Sequence, residues 1–334
     1  MDVSIVFVNY QTEALLQDCL RSIYEHTENL KFECIVVDNH FIPSANQQIL
    51  SQFPQTKWID AGRNTGFSIA NNIGLREASG EFILFLNADT LVFDNSIGNA
   101  WKHLMADQTL VAIGGIQLDI NKIPLPYYRT LNDVRRDFYI VPNKPVFHQV
   151  IHALLPNQKF SRPEETNNLV GAFLMASKEN LLKLNGWDED FFMYAEDAEL
   201  SFRLSKLGKL AYFEDVNFIH LIKENEFRRT EYSWVNRFSV QIQVSNLLWI
   251  RKSYGVIALL LIYLNYSVIA PIFWIWKVGL NLSKGKSWNH DTKNQRIFGR
   301  KLAVLYHYFF PILFRMKGPY QIKPEENIDQ VIKS

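Results

Sequence analysis

Short apolar runs alternate with amphipathic stretches along most of the chain, and the alternation predicts the elements before any single residue is considered. Val3 to Val8 is a run of mostly β-branched and aromatic residues ending in a polar turn, the pattern of a strand buried on both faces. Leu16, Cys19, Leu20 and Ile23 recur at helical spacing behind Thr12, a residue of the type that caps helices. Phe32 to Val37 reads as a second buried strand, Ser44 to Phe53 as a helix and Lys57 to Asp60 as a short third strand. Ser68 to Ala78 reads as a helix and Glu81 to Leu86 as a further strand.

Strands and helices alternating at this spacing imply βαβ units, an α/β fold and a mainly parallel sheet. Ligands of such sheets bind beyond the carboxyl ends of the strands. Asp38, Asn64 and Asp89 each fall just after a predicted strand and are placed to line one crevice. Residues 120 to 166 hold six prolines and no clear period, which reads as a long excursion on the active-site side. Order returns with Leu169 to Ala176, a helix to about Leu184, the segment GWDEDFFMYAED, a helix from Glu196 to Leu207, and strands at Leu210 to Phe213 and Val216 to His220.

Two acidic positions carry candidate chemistry. Asn87 and Asp89 stand two apart directly after a buried strand, where turn-forming residues are common but hard oxygen ligands for Mg²⁺ or Mn²⁺ also belong. Glu196 and Asp197 follow an aromatic stretch and open a helix. Acidic side chains favour any helix N-terminus, while a carboxylate beside aromatic surface is suited to general-base work. His220, at a strand end, is read as either structural or a metal ligand. Trp187 offers an aromatic face on which a ligand could stack, and simple packing accounts for it equally well.

The near-zero net charge conceals an asymmetry. Residues 1 to 250 carry 22 Lys and Arg against 30 Asp and Glu, whereas 251 to 334 carry 13 against 4. A basic, aromatic-rich tail on an acidic body points to an anionic surface, read here as phospholipid rather than nucleic acid. Cys19 and Cys34 have no paired spacing and read as reduced core residues. The opening MDVSIVFVNY has no basic segment and reads as a strand rather than a secretion signal, so the body is expected in the cytoplasm.

The 24 uncharged residues between Lys252 and Lys277 would extend roughly 36 Å as a helix, enough for a hydrocarbon core of about 30 Å. Basic residues flank both ends: Arg228, Arg229, Arg237, Arg251 and Lys252 before, and Lys277, Lys284, Lys286, Lys293, Arg296, Arg300 and Lys301 after. Both flanks then favour the cytoplasmic side, which argues against a simple span. Pro271 is placed to kink the helix, and Asn265 and Ser267 interrupt its apolar surface. With the 13-residue apolar stretch from Leu302 to Phe314, too short to span, the expectation is a monotopic or re-entrant anchor. A buried core helix or an oligomer interface would carry the same pattern.

Taken in order, VSIVFVNY, VVDN at 36 to 39, GRNTGFSIANNIGL at 62 to 75, FLNADT at 85 to 90, GAFLM, and GWDEDFFMYAEDAELSFRLSKLG ending at 208 resemble the family-two glycosyltransferases of the GT-A, Rossmann-like fold. The likeness is greatest to the rhamnosyltransferase-like members that build bacterial surface polysaccharides, and it covers roughly residues 3 to 222. It implies a catalytic domain over 1–225, which leaves 226–334 as the helical, membrane-associated segment read from its apolar and basic pattern. It also implies that Asn9, Asp38, Asn64, Gly66, Asn87 and Gly171 serve the nucleotide-sugar, with Asp38 accepting from an imide N–H and Gly66 allowing close backbone approach. Asp89 and His220 would hold Mg²⁺ or Mn²⁺, Asp197 with Glu196 beside it would be the catalytic base, and Trp187 would meet the acceptor. Asn87 departs from the commoner Asp-x-Asp pattern, which puts tight metal binding without nucleotide in doubt.

The implied reaction is an inverting displacement from a dTDP-sugar, rhamnose first, or a UDP-sugar, to a glycan or polyprenyl-linked acceptor at the cytoplasmic face of the inner membrane. Nucleotidyl transfer is disfavoured because VNYQTEALL holds neither the glycine nor the lysine of a phosphate loop. A catalytically degenerate sugar-binding scaffold is disfavoured because Asp89 and Asp197 are both present.

Overall fold

The computed structural model describes residues 1–40, 42–221 and 237–321, with the backbone alone at 44, 45 and 237–239. The expected boundary at 225/226, together with Arg228 and Arg229, lies outside the described residues. In chain order the elements are β1 (Val3–Asn9), α1 (Glu13–His26), β2 (Phe32–Asp38), α2 (Pro43–Gln52), β3 (Lys57–Asp60), α3 (Gly66–Glu77), β4 (Phe82–Leu86), β5 (Thr90–Leu91), α4 (Ser96–Ala106), β6 (Leu110–Leu118), α5 (Leu131–Arg136), α6 (Pro145–Leu154), β7 (Glu165–Thr166), β8 (Phe173–Ser177), α7 (Lys178–Lys183), α8 (Glu196–Leu204), β9 (Lys209–His220), α9 (Arg237–Ser283), α10 (Lys293–His307) and α11 (Phe309–Leu313).

The chain divides into two compact units. The first, Met1–Leu131, Gln158–Phe192 and the described residues from Glu196 to Leu221, is a sheet of order β3-β2-β1-β4-β8-β6-β9-β5, with β7 added on β9. The first four strands are parallel, as the βαβ pattern predicts. The sheet as a whole is mixed, because β8 enters antiparallel between β4 and β6.

Alternate residues of β1 serve opposite faces. Val3, Ile5 and Phe7 pack with Leu16, Leu20 and Ile23 of α1, while Val6 joins Ile35, Leu75, Trp187 and Leu200 on the other side. A strand enclosed in this way has no solvent face, which is why its sequence is a near-continuous apolar run. Cys19 and Cys34 are buried and unpaired in this core.

Several local features differ from expectation. Thr12 does precede α1, but its hydroxyl donates to Asn9 Oδ1 at 2.8 Å and leaves the helix without a side-chain cap. The two strands expected after residue 209 are one strand, β9, whose register against β6 jumps from Gly114/Tyr212 to Ile116/Asn217. The irregularity falls where Glu214 and Asp215 break the apolar pattern. The stretch 120–166 is less irregular than its prolines suggest, since it contains α5, α6 and β7.

The second unit comprises Asn132–Asn157, Met193–Ala195 and the described residues from Arg237 onward. Its dominant element is α9, of which Val240–Ser283 is long and apolar enough to cross a membrane. The break in α9 falls at Gly255 (φ 86°), and Pro271 lies within helical backbone. The polar interruptions expected at Asn265 and Ser267 are satisfied by protein. Asn265 exchanges hydrogen bonds with the Ile140 backbone at 2.8 and 3.2 Å, and Ser267 bonds to Tyr306 at 2.7 Å.

Within the first unit, buried Asn72 of α3 fastens the 186–189 turn. Its amide donates to the Trp187 carbonyl and its carbonyl accepts from the Trp187 N–H, both at 2.8 Å. Asn72→Ala strands both backbone groups and should cost about 2–4 kcal/mol of unfolding free energy in urea titrations. A loss under about 1 kcal/mol would show that water replaces the amide.

Candidate active site

Polar side chains gather where β1, β2 and β4 end, and each is held by a neighbour. Parallel register sets Asn9 beside Asp38. The Asp38 carboxylate is fully buried and accepts from Asn9 Nδ2 at 3.0 Å, the His40 N–H at 3.0 Å and the Trp58 indole at 3.2 Å. Asn39 turns the other way: its carbonyl accepts from the Thr65 N–H and hydroxyl, and its amide donates to the Gly66 carbonyl at 3.1 Å.

Asn64 accepts from the Gly66 N–H at 3.0 Å, forming the turn that opens α3. Gly66 has a φ of 81°, and a Cβ there would meet the Phe192 carbonyl oxygen at 2.5 Å. The glycine is required by both the left-handed backbone and the approach of Phe192.

At the end of β4 the chain turns through Asn87 to Asp89 and pairs Thr90 with His220 in β5 and β9. His220 Nε2 lies 3.2 Å from Asp89 Oδ1 and 3.5 Å from the Asn87 amide, while Nδ1 lies 2.8 Å from Gln117 Oε1. If Gln117 accepts from Nδ1–H, the Nε2 lone pair points towards Asp89. Among the described residues no three His, Cys, Asp or Glu side chains gather to hold an ion alone. Asp89 and His220 do form a carboxylate-imidazole pair, buried at both members.

Asp197 occupies the first turn of α8. Its carboxylate accepts from the Gly171 N–H at 3.2 Å and the Ala198 N–H at 2.8 Å. Burial pushes its pKa above the ordinary aspartate range, and the amide donors offset this only in part. A Cβ on Gly171 would stand 3.3 Å from Asp197 Cβ, in the range where the neighbour must give by a few tenths of an ångström. Glu196 is buried at the start of the same helix. The preceding Tyr194 and Ala195 have φ of 70° and 62°, a conformation that costs non-glycine residues energy and marks the approach to Asp197 as over-determined.

Contacts run continuously between these groups. Asn39 meets Gly66, Phe67 N–H donates to the Phe192 carbonyl at 2.7 Å, Phe67 packs near Gly171, and Asn87 N–H donates to the Ala172 carbonyl at 3.0 Å. The structure thus brings Asn9 to Asp38, Asn64 to Gly66, Asn87 and Asp89 to His220, and Gly171 to Asp197, along one edge of the sheet.

Trp187 is a correction. Its side chain is 1% exposed and meets the rings of Phe67 and Phe85 edge-on at 5.4 and 5.0 Å, so no face is left for an acceptor sugar. Two contributors escaped the sequence reading. Asn39 sits inside VVDN and was legible as a second turn residue, whereas Gln117 carries no local signal and reaches His220 only through the pairing of β6 with β9.

Parallel strands with a buried, hydrogen-bonded carboxylate and amides at their ends, followed by a glycine turn opening a helix, make an α/β domain that gathers polar groups at the carboxyl ends of its strands, with Asp197 beside them. Residues 4–172 match Glycosyl transferase family 2, and the chain belongs to that family. It is 24% identical over 230 residues to rhamnosyltransferase WbbL of Escherichia coli, covering 65% of this chain and 83% of that one. It is 25% identical over 210 residues to the low-salt glycan biosynthesis hexosyltransferase Agl10 of Haloferax volcanii, covering 60% and 61%. Among solved structures it superposes on mannosyltransferase PcManGT from Pyrobaculum calidifontis, in complex with GDP-Man and Mn²⁺, with a TM-score of 0.55 at 19% identity, covering 92% and 87%. The chain is a glycosyltransferase of the GT-A fold.

A folded-state pKa raised above the unfolded value means that ionised Asp197 costs stability above the folded pKa, a cost lost as pH falls through it. Asp197→Asn should therefore melt at or above the parent temperature near neutral pH. A clear fall in melting temperature would show that the Gly171 and Ala198 donors outweigh burial.

Proposed function

We propose that the protein transfers a sugar, with inversion, from a nucleotide-sugar to a hydroxyl of a glycan or polyprenyl-linked saccharide. The donor of first choice is dTDP-rhamnose, with a UDP-hexose second. The observation that carries the reading is Asp197, a carboxylate raised in pKa by burial and standing in one run of contacts with the Asn87–Asp89 turn. The name of the E. coli relative favours rhamnose.

Asp38 would accept from the base and Asn9 would hold its carboxylate in place, with Asn64 and Gly66 shaping the turn beneath the nucleotide. Asp89 and His220 fit a divalent cation, Mg²⁺ or Mn²⁺. Their hard oxygen and imidazole nitrogen stand at neighbouring-ligand distance, and two protein ligands leave positions for diphosphate oxygens. The Mn²⁺ of PcManGT supports this assignment. When bound, the cation would neutralise charge on the leaving diphosphate.

Asp197 would take the proton of the acceptor hydroxyl. That oxygen then bonds to the anomeric carbon as the sugar–phosphate bond breaks, and the bonding pair leaves with the nucleoside diphosphate. In this reading Glu196 supports the start of α8, and Gly171 holds Asp197 through its N–H. The body works at the cytoplasmic face of the membrane, with α9 and the basic tail as a peripheral or monotopic anchor.

Nucleoside diphosphate release should be scored across dTDP- and UDP-sugars with Mg²⁺ or Mn²⁺. Release from one donor is expected, and Asp197→Asn should lower it by about 10²–10⁴. The acid limb of kcat/KM should lie above the ordinary aspartate value of about 3.9, since the base must be ionised. Near-parent turnover in the variant would remove Asp197 from the base role. Extraction from membranes should need detergent, and release by salt alone would refute the anchor.

A further inference from the structure

Helix α6 presents an apolar stripe that nothing in its own unit covers. None of its residues is buried, and Val146, Phe147, Val150 and Leu154 are 57, 46, 52 and 70% exposed. Their spacing puts them on one side of the helix. A ten-residue helix of this kind is marginal in water by itself.

The stripe is nevertheless firmly mounted. On its N-terminal side Arg135 lies over the Tyr254 ring at 3.7 Å, Phe138 meets Trp249 edge-on, and the Ile140 backbone bonds to Asn265, all on α9. On its C-terminal side Arg136 donates to the Leu155 carbonyl and to Asn157 Oδ1 at 2.7 Å, and Asn132 donates to the Pro156 carbonyl at 2.6 Å.

The chemistry of the unit that carries the stripe selects its occupant. In the same unit α9 leaves Ile257, Leu264, Ile275 and Trp276 exposed, and Phe310 and Phe314 are exposed at and just after α11. Residues 251–334 carry 13 Lys and Arg against 4 Asp and Glu, and Lys144 directly precedes α6. A second copy would bring the same positive excess against it, whereas an anionic leaflet offers apolar depth beneath opposite charge.

We propose that α6 is a second membrane-contacting element, lying in the plane of an anionic leaflet with Val146, Phe147, Val150 and Leu154 among the acyl chains. The inference rests on the anchor reading of α9 and adds a contact from chain that precedes β7 and β8.

The test uses the full chain in phosphatidylcholine vesicles with phosphatidylglycerol, carrying an environment-sensitive dye at Leu154→Cys, Ile275→Cys or Gln48→Cys. Burial holds the Cys19 and Cys34 thiols up at about 12, so the introduced cysteine takes the label. Spin-labelled acyl chains should quench the dye at 154 about as strongly as at 275, with no loss at 48. Quenching at 275 with none at 154 overturns the inference and leaves the anchor standing. Quenching at neither position overturns both. A blue shift at 154 that grows with protein concentration and is not quenched by lipid assigns the stripe to a second copy and overturns the inference.

Discussion

β1 is hydrogen-bonded along both edges and enclosed on both faces, so polar groups attached to it can reach a ligand only at its end. The same holds for β2 between β1 and β3, and for β4 between β1 and β8. This enclosure decides where the chemistry sits. Asn9, Asp38 and Asn87 follow the last apolar residues of their strands, where side-chain partners are at hand; within β1 before Asn9 only Ser4 is polar, and Glu33 and the Gly80 N–H satisfy its hydroxyl. Each one then binds a neighbour rather than standing exposed, because a polar group this deep must be hydrogen-bonded.

The antiparallel entry of β8 has a separate consequence. It carries Gly171 and Ala172 back towards the carboxyl end of β4, where Ala172 accepts from the Asn87 N–H and Gly171 donates to Asp197. β9 arrives from the far side of β6 and ends on His220, which pairs with Thr90 and faces Asp89. Carboxylates more than a hundred residues apart are thereby gathered on one edge. Asp197 is set in an environment that disfavours its charge, which is what the proposed base role would require.

The second unit follows different rules. α9 combines apolar length with little burial, and its two mid-helix polar residues are satisfied by the protein, so its outward surface stays apolar. Gly255 breaks the helix because its φ of 86° suits glycine, whereas Pro271 is accommodated within the helix. The basic excess of the chain after residue 250 is what the proposed anchor on an anionic leaflet would use.

Local pattern alone determined the parallel half of the sheet, because Val3–Val8, Phe32–Val37 and EFILFL can be stable only as strands buried on both faces, separated by amphipathic helices. It also located Asp38, Asn64, Asp89 and Asp197, since turn and helix-start residues announce themselves after apolar runs. Only the tertiary structure decided the rest. α4, with Ile97, Ala100 and Leu104 at helical spacing, and β6, an apolar run from Leu110, show their own patterns but not their places in the fold, and Gln117 gains meaning solely from the pairing of β6 with β9 that brings it to 2.8 Å from His220. Trp187, an aromatic in an acidic segment, is legible as either platform or core until Phe67 and Phe85 close around it. The prolines of 120–166 hid α5 and α6; Arg135 of α5 and Ile140 between the two helices find their partners on α9, far along the chain. Periodicity reports which face of an element is apolar, and what that face meets is fixed by partners distant in sequence.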